Sequence, residues 1–134
     1  MQGFKNGGVQ VAEYLYDFAV DGGAVGNIDL SAKKSKAPLP LGAVVVRITR
    51  KVLTAPTSGG SATISVGDAG STARYLALTA FDNAAFVAGV YAHSTGMPAL
   101  LDAANKGQFG ISIAVAALTA GKIAFHVEYL LPSV

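Results

Sequence analysis

Gln108-Phe109-Gly110-Ile111-Ser112-Ile113-Ala114-Val115-Ala116-Ala117-Leu118 and Lys122-Ile123-Ala124-Phe125-His126-Val127-Glu128-Tyr129-Leu130-Leu131 both alternate apolar residues with small or polar ones. A side-chain period of two belongs to β-strands. It puts Phe109, Ile111, Ile113, Val115 and Ala117 on one side of the first segment, and Ile123, Phe125, Val127, Tyr129 and Leu131 on one side of the second. With Thr119-Ala120-Gly121 as the connection, the two segments read as one β-hairpin. A lone hairpin is marginal in water, so the pair implies a larger sheet that covers its apolar face and its edge.

Upstream, the same signal recurs in shorter pieces. Val9 to Val20 reads as a strand with Tyr14, Tyr16, Phe18 and Val20 on one face, closed by the turn Asp21-Gly22-Gly23. Val25–Leu30 is a short strand, and the lysines and prolines of Ser31–Pro40 suit an exposed loop. Gly42–Thr54 is a long strand in which Val44, Val46, Ile48 and Val52 alternate against Arg47, Thr49 and Lys51. Arg50 breaks that pattern, and marks a bulge, a strand crossing between sheets or a basic group aimed at a partner. Ser61–Gly67 and Ala73–Phe81 are further strands, set apart by Pro56–Gly60 and Asp68–Ser71. Asp82–Gly107 reads as a loop-rich excursion with one or two short strands, where Phe86–Tyr91 fits a strand or an irregular wall and Ala99–Ala104 fits a helical turn. About eight short strands with regular turn signals and no long helical period predict an all-β fold: a single-domain antiparallel β-sandwich, jelly-roll-like, over residues 9–134. Polar, glycine-bearing Met1–Gly8 is expected to be a flexible arm ordered by a neighbour.

The chain has 134 residues, enough to bury a core without staples. It contains no cysteine, which excludes disulfides, thiolate metal sites and cysteine nucleophiles. Only 13% of its residues are charged beside 51% hydrophobic, against about 25% charged in ordinary soluble domains. A surface so poor in charge implies burial against other subunits, hence a homo-oligomer or assembly component. The net charge of +2 is not gathered in a stripe, so no nucleic-acid partner is expected. The uncharged stretches are broken by glycine, histidine and proline or alternate, so no membrane partner is expected either. The first residues lack the apolar run of a secretory signal, and the protein is expected to stay where it is made.

Catalytic chemistry finds little footing. The histidines are His93 and His126, no G-x-S-x-G elbow accompanies the serines, and Gly22–Gly26 lacks the Gly-Lys-Ser/Thr ending of a phosphate loop. His126 and Glu128, two apart on one strand face, have a spacing able to supply two zinc ligands with His93 as a third. The commoner reading makes His126, Glu128 and Lys122 the solvent- or subunit-facing side of that strand, and no metal or cofactor is expected. Asp17, Asp29, Asp68, Asp82 and Asp102 include any glycosidase-type pair, yet most adjoin turn signals and read as turn-formers. Lys33, Lys34 and Lys36 form the basic cluster, most simply a solvated loop and next a contact with an acidic protein surface. Phe4 and Lys5 of the arm, those three lysines, Arg50, His126 and Glu128 are the candidate partner-binding residues.

Glu13-Tyr14-Leu15-Tyr16-Asp17-Phe18-Ala19-Val20-Asp21-Gly22-Gly23-Ala24-Val25-Gly26 resembles a group of small virion proteins of tailed bacteriophages. Leu39–Val45 is similar to that group's proline-glycine lead-in to a long strand, Thr57–Gly67 to its hairpin, and Ala117–Lys122 with Val127-Glu128-Tyr129 to its closing hairpin. The resemblance implies a capsid cement or decoration subunit: a non-enzymatic homotrimer, made in the bacterial cytoplasm, that binds the major capsid protein on the capsid exterior. Ser31–Ala37 and Asn83–Gly107 depart from the pattern. Other readings are a head-fibre base or tail component, a carbohydrate-binding sandwich, for which the absence of tryptophan is unfavourable, and a small hydrolase or isomerase needing convergence of His126, Glu128 and an aspartate.

Overall fold

A computed structural model describes residues 9–32, 39–40, 42–68, 70–93, 99–100 and 108–131, and these form two antiparallel sheets. In the first sheet β1 (Gln10–Asp17), β9 (Leu118–Leu130) and β3 (Val44–Ser58) lie side by side, with the short β6 (Tyr91–His93) and β7 (Ala99–Leu100) both on the far edge of β3. In the second, β2 (Gly26–Asp29), β8 (Gly110–Ala114), β4 (Thr63–Gly67) and β5 (Leu76–Ala80) follow in that order. The pairs β1–β9, β2–β8, β3–β6/β7 and β4–β5 are those of one long antiparallel ribbon rolled upon itself. Rolling sends β1, β3, β6, β7 and β9 to one sheet and β2, β4, β5 and β8 to the other, which is the jelly-roll form of the expected sandwich. Met1–Gly8, Lys33–Lys36 and Asp102 lie outside the described residues.

The C-terminal hairpin is corrected by this arrangement. β8 pairs with β2 and β4, whereas β9 pairs with β1 and β3, so the two segments face each other across the core. Alternation reports which face a side chain occupies and is silent on which strand lies beside it. The crossing is made at Val115–Ala117, where Val115 adopts φ of 71° and stands 74% exposed. Val115 and Ala117 are therefore not core residues, and Thr119-Ala120-Gly121 is part of β9, with Ala120 opposite Thr57 of β3.

Three boundaries also move. β1 stops at Asp17, because the Asp17 carboxylate accepts from Ala19 N at 3.0 Å and caps a single helical turn, Phe18–Asp21. The turn breaks the period of two, leaving Phe18 half-buried and Val20 73% exposed. In β3 the register shifts between Val45 and Arg47, so Val45 rather than Val44 or Val46 is fully buried before Ile48 and Val52 resume the inner face. The strand expected at Ala73–Phe81 is confined to Leu76–Ala80. Within Asp82–Gly107 a 3₁₀ turn at Ala84–Phe86 precedes β6, and Ala99–Leu100 is strand rather than helical turn.

Phe109 is the hub of the core. Its ring stacks on Tyr14 at 5.0 Å and on Tyr75 at 5.9 Å between centroids, and meets Phe125 edge-on at 5.2 Å. Rings from both sheets thus converge on one residue, with Ile111, Ile113, Ile123, Val127 and Ile64 filling the remainder.

Candidate assembly surfaces

The two sheets turn very different faces outward. On the first sheet, rows set by the register run Glu13–His126–Thr49, Val11–Glu128–Arg47 and Asp17–Lys122–Thr54. Charges of opposite sign meet along them. His126 Nε2 lies 2.8 Å from Glu13 Oε1, Lys122 Nζ lies 3.9 Å from Asp17 Oδ2, and Arg47 grips Glu128 with Nε and with Nη2, the latter at 3.0 Å. Exposed pairs of this kind contribute about 0–1 kcal/mol each. Their effect is to neutralise a wet face rather than to build a reactive site.

The second sheet offers Asn27, Gly110, Ser112, Ala114, Thr63, Leu78 and Ala80 on its outer side, with Asp29 as the charged member, while Ser65 and Gly67 on the same side are buried. Asp29 is already engaged, since its Oδ1 accepts from Ser31 N and Ser31 Oγ. Ser112 Oγ donates to Asn27 Oδ1. At one end the loop after β4 folds over this face, and Ser65 Oγ donates to Thr72 O at 2.9 Å. Asp68 holds that loop: its Oδ1 accepts from Gly70 N and Ser71 N, and its Oδ2 from Arg74 Nε at 2.7 Å and Tyr75 Oη at 3.1 Å. Burial first, and then the Asp68 charge and hydrogen bond, push the Tyr75 phenol far above its ordinary range. A Cβ at Gly67 would stand 2.1 Å from Ser71 O, so only glycine lets the loop lie this close. A shallow depression of about 100 Å³ lies between loop and strand, bordered by Asn27, Asp29, Thr72, Gln108 and Ser112.

The candidate residues separate accordingly. His126 and Glu128 share the outer face of β9 with Lys122; Lys122 and Glu128 are ion-paired with Asp17 of β1 and Arg47 of β3, and His126 Nε2 is hydrogen-bonded with Glu13 of β1. Arg50 lies beyond the bulge, opposite Phe125 on the inner face, 7% exposed with Nε lacking a hydrogen-bond partner. Burial lowers its pKa. Phe4, Lys5, Lys33, Lys34 and Lys36 fall outside the described residues, as does the side chain of His93. Among the described residues no three His, Cys, Asp or Glu side chains are grouped to hold a metal ion, and no helix is long and apolar enough to cross a membrane. Asp17, Asp29 and Asp68 each bond local backbone N–H groups, as turn-formers do. Sequence reasoning missed the Asp68–Arg74–Tyr75 cluster, although Asp68-Ala69-Gly70-Ser71 carries the signature of an Asx turn.

No family model matches the chain, and no curated protein matches it. Solved structures do. A chain of the cyanophage Pam1 capsid asymmetric unit is 28% identical with a TM-score of 0.66, the match covering 97% of this chain and 90% of that one. A chain of the acidic stable capsid of Helicobacter pylori bacteriophage KHP30 is 20% identical with a TM-score of 0.63, over 99% and 95% of the two chains. A chain of the capsid of Ralstonia phage GP4 is 19% identical with a TM-score of 0.54, over 100% and 92%. The fold is thus shared end to end with chains of three phage capsids, and the resemblance to phage virion structural proteins holds in three dimensions.

Proposed function

We propose that this chain is a non-enzymatic structural subunit of a tailed-bacteriophage virion, a cement or decoration protein that clamps the major capsid protein on the outside of the shell as a homotrimer. The observation that carries the reading is the match to the Pam1 capsid chain, which spans nearly all of both chains at 28% identity. The physics of the surface supports it. A subunit whose task is grip requires a rigid shape and contact area free of unpaired charge, and the outer face of the second sheet combines small neutral side chains with a core locked by Phe109. That face is assigned to the shell, while the ion-paired face of the first sheet is assigned to solvent. Residues 1–8, with Phe4 and Lys5, serve as an arm on a neighbouring subunit, and the loop bearing Lys33, Lys34 and Lys36 reaches an acidic capsid surface. Several modest contacts made together raise occupancy by orders of magnitude.

Cryo-electron microscopy of particles carrying the protein tests this reading. It expects hundreds of copies per particle in three-fold groups on the exterior, with the second sheet toward the shell. Density confined to a tail or to a few copies at one vertex would overturn the cement role, and dissociation into monomers at particle-binding concentrations would overturn the trimer.

A further inference from the structure

Arg50 is the only buried cation among the described residues. It shares the inner side of β3 with Ile48 and Val52, and its neighbours in the register are Phe125 of β9 and Ala92 of β6. Nε is sealed from solvent without a hydrogen-bond partner, and among the described residues no carboxylate is paired with the guanidinium. A guanidinium leaves water unfavourably unless a counter-charge meets it. Burial lowers its pKa, as expected of a cation held without compensation. The acids of this chain are committed elsewhere. Glu13, Asp17, Asp68 and Glu128 face other side chains, Asp21 and Asp29 accept from backbone N–H groups, and Asp82 is exposed in the turn after β5. Asp102 lies outside the described residues, two positions after β7. β7 pairs Leu100 with Val44, six residues from Arg50 or about 20 Å along an extended strand, and being antiparallel to β3 it is directed away from Arg50 at Leu100. On the side of Arg50 the outermost described strand is β6, three residues long, which places only the methyl group of Ala92 beside it.

We propose that Arg50 is a receptor for a carboxylate supplied by another protein chain, an aspartate or glutamate side chain of the subunit seated against the β3–β6 edge. The Nε and Nη donors form a fork that matches the two oxygens of a carboxylate. One guanidinium among Ile48, Val52, Phe125 and Ala92, with no second buried cation, balances a single negative charge. That suits a carboxylate better than a phosphate monoester, which carries nearly two. In the isolated chain the unpaired charge weakens the fold, and docking converts it into a buried charge pair. The source of the carboxylate rests on the reading of this chain as an assembly subunit, whereas the receptor itself rests on the burial of Arg50.

Arg50→Met separates such a receptor from an ordinary structural arginine, because methionine adapts to the same space without the charge. The isolated variant is expected to unfold at higher urea than the wild type, since an apolar group replaces an unpaired buried cation. A lower midpoint, or failure to fold, would mean that the chain already supplies a partner and would overturn the proposal. Sodium acetate at neutral pH serves as the probe carboxylate. Against sodium chloride at equal ionic strength it is expected to raise the midpoint of the wild type more than that of Arg50→Met, and equal rises would overturn the receptor. Arg50→Lys keeps the charge without the fork, so its gain from acetate is expected to fall between the two. In pelleting with capsid shells Arg50→Met is expected to bind about thirtyfold more weakly than the wild type, or worse. A loss that appears instead in self-association by sedimentation assigns the carboxylate to a second copy, and a loss in neither overturns the assembly role. Failure of the wild type itself to bind shells counts against the capsid reading alone, because the urea midpoints with and without acetate still decide the receptor.

Discussion

The outer face of the first sheet and the outer face of the second are built on the same pleat, yet one is laced with ion pairs and the other is almost bare of charge. Asp17–Lys122, Glu13–His126 and Arg47–Glu128 each join neighbouring strands, so two ion pairs and one hydrogen bond tie down a surface that water still reaches. Across the core, serine, threonine, alanine, glycine and asparagine make a surface that sheds water at small electrostatic cost. Among the described residues the charges are therefore not spread evenly. Their deficit is concentrated on one side, where a partner can be seated without stranding a charge.

The largest expected effect breaks this contrast directly. Ser112→Arg at the centre of the neutral face should reduce binding to capsid shells by about a hundredfold or more, because an unpaired cation would be buried in the contact. Arg47→Glu on the opposite face should leave shell binding within about threefold. Pelleting labelled protein with shells measures both, and equal losses would erase the distinction between the faces. Next is Asp68→Ala, which removes a buried acceptor of four hydrogen bonds, one of them from the buried Tyr75 hydroxyl. A loss of about 1–3 kcal/mol in urea unfolding is expected.

Raising the pH tests the core that both faces share. Burial, followed by the charges of Tyr129 and Asp29, pushes Tyr14 up to about 12, while burial, followed by Asp21 and Asp17, pushes Tyr16 up to about 12. In the unfolded chain tyrosine ionises near pH 10. Stability from the neutral phenols is thus complete below about pH 10 and is lost as pH rises toward about 12. Urea midpoints should be level up to about pH 10 and fall between there and about pH 12, and a level profile throughout would contradict the buried phenols. Smaller again is Val115→Gly at the crossover between the sheets. It relieves a β-branched residue held at φ 71°, and a gain of about 1 kcal/mol is expected from thermal unfolding. Smallest is Arg47→Ala, a loss of under about 1 kcal/mol that shrinks as salt is added.

Much of this molecule was legible residue by residue. The inward sets Tyr14 and Tyr16, Ile64 and Val66, Ile111 and Ile113, and Ile123 with Phe125 and Val127 all follow from alternation and are all buried. Extended backbone imposes that period wherever the strand lies, so no knowledge of neighbours is needed. Turn chemistry at Asp68–Ser71 was legible for the same reason, being a bond between a side chain and its own nearby backbone. Partnership between strands was not. The β8 and β9 segments looked like a hairpin because adjacency in the chain is the simplest pairing, and they were separated because a rolled ribbon buries both apolar faces at once by placing them in opposite layers. The shift at Val45–Arg47, which aims Arg50 inward opposite Phe125, likewise arises from how a fifteen-residue β3 fits beside β9. Local composition specifies faces and turns through short-range sterics and hydrogen bonds, whereas register and sheet membership are settled by closure of the whole core around Phe109.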